Sequence, residues 1–122
     1  VSEIEADRFA AVEALQQRYG GSVVLKGAGS LIRAAGHRPT AVCSDGNPGM
    51  ASGGTGDALT GVIAALLAQG LEPEHAAGAG VCLHAAAGDR AARAGQHGML
   101  AMDLIDHLRT ALAEAEYDPA CR

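Results

Sequence analysis

The sequence predicts an α/β domain in which three short strands are followed by three helices. Three observations carry that expectation. Apolar runs at 22–26, 30–35 and 40–43 are short and bounded by Gly or Pro, as strands are. Leu59, Val62, Ile63, Leu66 and Leu67 recur at the three-and-four spacing of a helix, and Leu104, Ile105, Leu108 and Leu112 do so again later. Between these two sets, residues 44–56 are dominated by Gly, Ser, Asp, Asn and Pro, the chemistry of loops.

Taken in order, residues 3–19 read as one amphipathic helix with Ile4, Phe9, Val12, Leu15 and Tyr19 along a face. Ser2 and Glu5 have the spacing of a capping box, and Gly20 with Gly21 supplies the stop. Residues 22–26 read as a buried strand ending in Lys26, residues 27–29 as a tight turn, and 30–35 as a second strand. A turn at 36–39 leads to a short third strand at 40–43. The helix after the long loop ends at Gly70; it carries no charge from Ala58 to Ala68, so burial on nearly every side is expected. Pro73 suits a first helical position and opens a helix running to about Ala94. The last helix spans 101–116, and no repeat or linker divides the chain.

The 122 residues fit one modest domain. Hydrophobic residues make up 48% and charged ones 19%, which excludes a disordered chain. Phe9, Tyr19 and Tyr117 are the only aromatics, so the core must be aliphatic. The net charge of −5 and the scattering of nine Lys and Arg argue against a nucleic-acid partner. Cys43, Cys82 and Cys121 are odd in number and far apart, which points to a reducing compartment. No Cys or His pair has the spacing of a metal cage. Glu3, Glu5, Asp7 and Arg8 exclude a secretory signal in the first ten residues, and no apolar run is long enough to span a membrane. A cytoplasmic location is therefore expected. The chain begins with Val rather than Met, as a processed or partial piece would.

Seventeen glycines are many for this length, and they cluster from Gly20 to Gly61. Gly53, Gly54 and Gly56 stand immediately before the uncharged helix. The first turn of a helix leaves backbone N–H groups unpaired, and the helix dipole makes that end electropositive. Glycines let phosphate oxygens approach those amides without a Cβ in the way. A phosphate site at Gly54, Thr55 and Gly56 is expected on those grounds. Asp57 would sit at the mouth of the same site, where a carboxylate can take the proton of a hydroxyl attacking a phosphoryl group. The plainer alternative is a tight turn before a closely packed helix. The spacing matches neither the P-loop nor the Rossmann fingerprint. A second candidate is Lys26, Gly27, Ala28, Gly29 and Ser30, where an ammonium and turn amides could hold a nucleotide. A hairpin turn with a solvated lysine is its plainer alternative.

With both loops in view, the chain resembles the ADP/ATP-dependent NAD(P)H-hydrate dehydratase family of the ribokinase-like superfamily. The resemblance runs from about Val23 to Leu108. It rests on Val-Leu-Lys-Gly-Ala-Gly-Ser at 24–30 and Gly-Asn-Pro-Gly-Met-Ala-Ser-Gly-Gly-Thr-Gly-Asp at 46–57. The segments at 80–89 and 98–105 support it. Sugar kinases of the superfamily more often carry Gly-Ala-Gly-Asp at the helix start. The resemblance implies a three-layer α/β/α fold, of which this chain would be only the C-terminal portion. It implies dehydration of NADHX and NADPHX to NADH and NADPH, by phosphorylation of the hydrate hydroxyl from ADP or ATP and elimination of phosphate. It implies AMP as the product when ADP is the donor.

Carried over by position, Lys26, Gly27, Ala28, Gly29, Ser30 and Gly56 would contact the adenine nucleotide, and Asp57 would contact the hydrate and act as base. Ser30 stands where the family often has Thr, and keeps the hydroxyl. Mg²⁺ is implied, without a recognisable ligand motif here, as is a homo-oligomer. The family domain is considerably longer, and its N-terminal half supplies most strands and most nicotinamide contacts. A partial sheet with an exposed edge and an exposed face is therefore expected. A ribokinase-like small-molecule kinase, or an incomplete nucleotide-binding fragment, would share both loops.

The remaining polar residues read more plainly. His84 and Asp89 suit surface or helix-packing roles. His37, His75, His97 and His107 suit solvated positions, and Met50, Met99 and Met102 suit packing. Asn47 could contact substrate or support an Asx turn, and both readings stand.

Overall fold

Two helices, not one, precede the sheet in the computed structural model, which describes residues 2–36 and 38–117. The expected 3–19 helix divides into α1 (Ser2–Ala6) and α2 (Arg8–Tyr19). Asp7 is the reason. Its backbone is extended (φ −148°, ψ 91°), and its carboxylate accepts from Ala10 N at 2.9 Å, the geometry of an N-cap. Of the expected apolar face, Val12 is fully buried, whereas Phe9 and Tyr19 are 55% and 71% exposed. The readings for His37 and Cys121 lie outside the described residues.

Gly20 ends α2 at φ 72°. The three strands are β1 (Val23–Leu25), β2 (Ser30–Arg33) and β3 (Ala41–Cys43), all shorter than the apolar runs that announce them. They form an antiparallel meander in the order β1-β2-β3, with Leu25 opposite Leu31 and Ser30 opposite Cys43. β1 is half-buried rather than buried. Leu31 and Ile32, adjacent in β2, are both buried. Successive strand residues point to opposite faces, so both faces of β2 are covered. Ile32 joins the core formed with the helices beyond the loop, and α2 packs against β1 and β2. This is the helix–sheet–helix layering of an α/β domain. Exposure concentrates at the β3 edge, where Val42 is 52% exposed, rather than over a whole face.

After a short 3₁₀ turn (Pro48–Met50) come α3 (Thr55–Ala68), α4 (Pro73–Ala91) and α5 (Ala101–Tyr117). The expectation that α3 is buried nearly all round fails: only Thr55 and Leu59 are buried, and Leu67 is 42% exposed. The enclosed helix is α4, with nine buried residues, Ala76, Ala77, Gly80, Val81, His84, Ala85, Ala87, Gly88 and Ala91. Its burial comes from small size, not from greasiness. A Cβ at Gly80 would stand 2.6 Å from Ile63 Cγ1, so glycine there lets α3 lie directly on α4. One core joins Ile32, Cys43 and Leu59 to Ala77, Val81 and Ala85 of α4. The second joins Met50, Met99, Leu104 and Ala111 to Ala87 and Ala91. The Arg90–Glu114 ion pair ties α5 to α4. On α5, Leu104 is fully buried while Ile105 and Leu112 are 38% and 47% exposed, so the packed stripe is narrower than the sequence implies.

α3 ends in a Schellman arrangement: Gly70 N donates to Leu67 O at 2.9 Å and Leu71 N to Leu66 O at 3.2 Å. Among the described residues no helix is long and apolar enough to cross a membrane.

Candidate active site

The β1–β2 register forces the chain to reverse over residues 26–30. Ser30 closes that turn from within: its hydroxyl accepts from Gly27 N at 3.3 Å and donates to Gly27 O at 3.2 Å. Lys26, at the end of β1, donates from Nζ to Thr55 Oγ1 at 3.4 Å, so the two glycine-rich segments meet.

Thr55 is the point at which four parts of the chain converge. Its hydroxyl donates toward Met50 O (2.8 Å) and Ser52 O (3.0 Å) while accepting from Lys26. Its carbonyl lies 2.8 Å from His84 Nε2. A carbonyl only accepts, so Nε2 is the donor in this contact and bears a proton. Burial holds the His84 imidazole below its ordinary pKa, the Lys26 ammonium adds to this, and the Thr55 bond opposes it. His84 is only 2% exposed, so the helix-packing reading holds and the surface one does not.

The preceding loop is held from α4 as well. Asn47 Oδ1 accepts from Gly49 N at 3.0 Å, which caps the 3₁₀ turn in an Asx arrangement. Its amide Nδ2 donates to Asp89 Oδ1 at 2.8 Å, and Gly46 N donates to Asp89 Oδ2 at 3.1 Å. Met50 is seated over Gly88, where any side chain on α4 would collide with its thioether.

These segments enclose a cavity of about 360 Å³. Its walls are Lys26, Gly27, Ala28, Gly29 and Ser30 on one side and the 44–48 segment with Met50 and Ala51 on the other. Leu59, Val81, His84 and Ala85 form its floor. All five turn residues and Asn47 are therefore brought together, as the sequence expects of one site. Gly54, Thr55, Gly56 and Asp57 stand beside the cavity rather than lining it, joined to it through the Lys26–Thr55 bond.

At the start of α3 the boundary differs from the sequence reading. Gly54 is the N-cap, so Thr55, Gly56 and Asp57 are already the first turn. Gly54 needs to be glycine: its φ is +88°, and a Cβ would meet Ala101 Cβ at 3.2 Å. Gly53 and Gly56 have open space where a Cβ would go, so packing does not demand glycine there. No side chain caps the helix, and Ala58 is the first residue whose N–H bonds back, to Gly54 O at 3.0 Å. The amides of the first turn are thus left without a capping partner, the condition that makes a helix start receptive to an anion. Asp57 is exposed, and its place in the first turn also favours the helix dipole, a structural reason for an acid there.

Sequence reasoning missed the tethers. His84 holds the start of α3 at Thr55, and Asp89 holds the loop at Gly46 and Asn47. The available signal for His84 was its place among Val81, Ala85 and Gly88 on one small-residue face. Asp89 had none, because its partners lie 42 and 43 positions away.

The family model described as NAD(P)H-hydrate dehydratase matches residues 1–110. The chain is 58% identical over 113 residues to the bifunctional NAD(P)H-hydrate repair enzyme Nnr of Vibrio cholerae, covering 92% of this chain and 22% of that protein. It is 45% identical over 89 residues to the ADP-dependent (S)-NAD(P)H-hydrate dehydratase of Neisseria meningitidis, covering 73% of this chain and 30% of that one. Among solved structures, the ADP/ATP-dependent NAD(P)H-hydrate dehydratase of Bacillus subtilis, co-crystallised with ATP and Mg²⁺, superposes with a TM-score of 0.84 at 29% identity. That match covers 93% of this chain and 41% of the solved one. The chain thus spans about a fifth of the length of the bifunctional relatives it matches. The fold class expected from the sequence holds, and the chain belongs to the NAD(P)H-hydrate dehydratase family.

Proposed function

We propose that this chain forms the C-terminal part of a single ribokinase-like domain, and supplies the adenine-nucleotide grip and catalytic carboxylate of an ADP- or ATP-dependent NAD(P)H-hydrate dehydratase. The observation that carries this is the Lys26–Thr55 junction. It sets an uncapped helix start with Asp57 in its first turn against a cavity of about 360 Å³ walled by a lysine-glycine turn. A volume of that order is within the range of small-molecule sites. Relatives named as ADP-dependent and ADP/ATP-dependent dehydratases supply the chemistry.

In this reading Lys26 and the turn through Ser30 hold the nucleotide, and the amides of Thr55 and Gly56 with Gly54 receive the transferring phosphoryl group. Asp57 takes the proton of the hydrate hydroxyl as its oxygen bonds to phosphorus and the bond to the AMP leaving group breaks. The C–O bond then breaks with loss of a ring proton, releasing phosphate and NADH or NADPH. Asn47, fixed by Asp89, would contact the hydrate from the cavity wall. Among the described residues no three His, Cys, Asp or Glu side chains gather to hold a metal ion, so no step is assigned to Mg²⁺.

The test is to mix the intact protein with NADH hydrate and ADP and follow NADH absorbance together with AMP and phosphate. All three should rise in equal amounts. A phosphorylated hydrate that accumulates without NADH would make the protein a kinase. ADP binding with no turnover would make it a nucleotide-binding piece and overturn the dehydratase reading.

A further inference from the structure

Arg8 touches the nucleotide turn without lining the cavity. As the first residue of α2, released from α1 by the Asp7 cap, it sends its guanidinium to two carbonyls of the reversal, Leu25 O at 3.1 Å and Ala28 O. Its planar fork also covers Gly27: a Cβ there would stand 2.9 Å from Arg8 Nη2 and 3.2 Å from Cζ. Gly27 does not have a positive φ. A side chain at Gly27 would therefore displace the guanidinium tip rather than strain the backbone.

We propose that Arg8 is a positioning residue that holds the 26–30 turn in its nucleotide-binding shape, with Gly27 kept bare to admit it. The physical basis is the rigidity of the peptide plane. All described peptides are trans, so the C=O of one residue and the N–H of the next point in opposite directions. Drawing Ala28 O toward Arg8 turns Gly29 N–H away from it. Drawing Leu25 O the same way turns Lys26 N–H away. Gly29 and Lys26 line the cavity and Arg8 does not, so the arginine on the outer side directs donors to the inner side. A lysine could not do this, because its single ammonium lacks the fixed fork that spans two carbonyls.

This inference rests on reading the turn as the nucleotide contact, and the test separates the two. NADH regeneration and ADP calorimetry are measured for the intact wild-type protein and for Arg8→Ala, Arg8→Lys, Gly27→Ala, the double variant Arg8→Ala/Gly27→Ala, and Lys26→Ala. Losing two hydrogen bonds of ordinary strength should raise the ADP KM and Kd roughly tenfold, with kcat kept within about twofold. Arg8→Lys should recover little of the loss. Gly27→Ala should match Arg8→Ala, and the double variant should be no worse than either. If Lys26→Ala weakens ADP and Arg8→Ala does not, the arginine assignment is wrong while the nucleotide site stands. If Gly27→Ala is as costly with Arg8 absent as with it present, the coupling between the two is wrong. If neither Lys26→Ala nor Arg8→Ala alters ADP binding, the turn is not the nucleotide contact and the proposal falls with it.

Discussion

The 26–30 turn and the start of α3 are both glycine-rich and meet at the Lys26–Thr55 bond, yet they are built in opposite ways. The turn is tied on several sides, by Ser30 from within, Arg8 from outside and Lys26 across to Thr55. Its glycines answer partly to those ties. The helix start is hydrogen-bonded to the rest of the site through Thr55; no side chain caps it, Gly56 has open space beside it and Asp57 is exposed. A tied segment presents a fixed shape to a ligand that must be held. An open helix end offers donors and a carboxylate that can reach a group undergoing change. Under the proposed function, the turn would serve binding and the helix start chemistry.

Substitutions can break that division. The largest effect is expected from Asp57→Asn, which should lower kcat at least about 100-fold, the scale of a lost general base, and leave ADP affinity near wild type by calorimetry. Retained turnover would remove the base assignment.

The two helix-start glycines should then separate. Gly54→Ala forces a left-handed conformation on a residue with a side chain and crowds Ala101, so urea unfolding should show a loss of about 1–2 kcal/mol. Gly56→Ala meets no neighbour and lies inside the helix, so stability should hold or rise by up to about 1 kcal/mol. Its ADP KM should nevertheless increase, because a methyl group now stands beside the exposed amides. If both variants behave alike, the glycines serve the turn and not the phosphate.

The smallest effect concerns His84. Its pKa is below 6.5 in the folded state, so the unfolded chain binds more protons as pH falls past 6.5. Unfolding free energy should accordingly drop as pH is lowered from 6.5 toward the depressed folded-state pKa, and be unaffected by this group above about 7.5. A His84→Gln variant should flatten that part of the profile.

Much of the fold was legible because its signals are local. The positions of all three strands, the Pro73 start and the Gly20 and Gly70 stops follow from periodicity and backbone stereochemistry. The Asp7 break is legible in principle, since Asp is a good N-cap, but the apolar spacing across residues 4–19 runs through it without a gap. The error over α3 is more instructive. Absence of charge does not by itself mean burial: the enclosed helix, α4, contains Glu74, Asp89 and Arg90 and is enclosed because Ala and Gly admit neighbours on several sides. In the site, the candidate residues were found by type and spacing, but not their supports.

The sequence by itself determined the element types, both glycine-rich segments and the presence of Asp57 at the opening of an uncharged helix. Each of these depends on residues within a few positions of one another. Only the tertiary structure decided that Lys26 and His84 would meet at Thr55, each 29 positions away, and that Asp89 would hold Asn47 from 42 positions away. It also decided that Arg8 would lie on Gly27. Such pairings depend on how the helices stack on the sheet, and the shape of small side chains sets that stacking through distances no local pattern records.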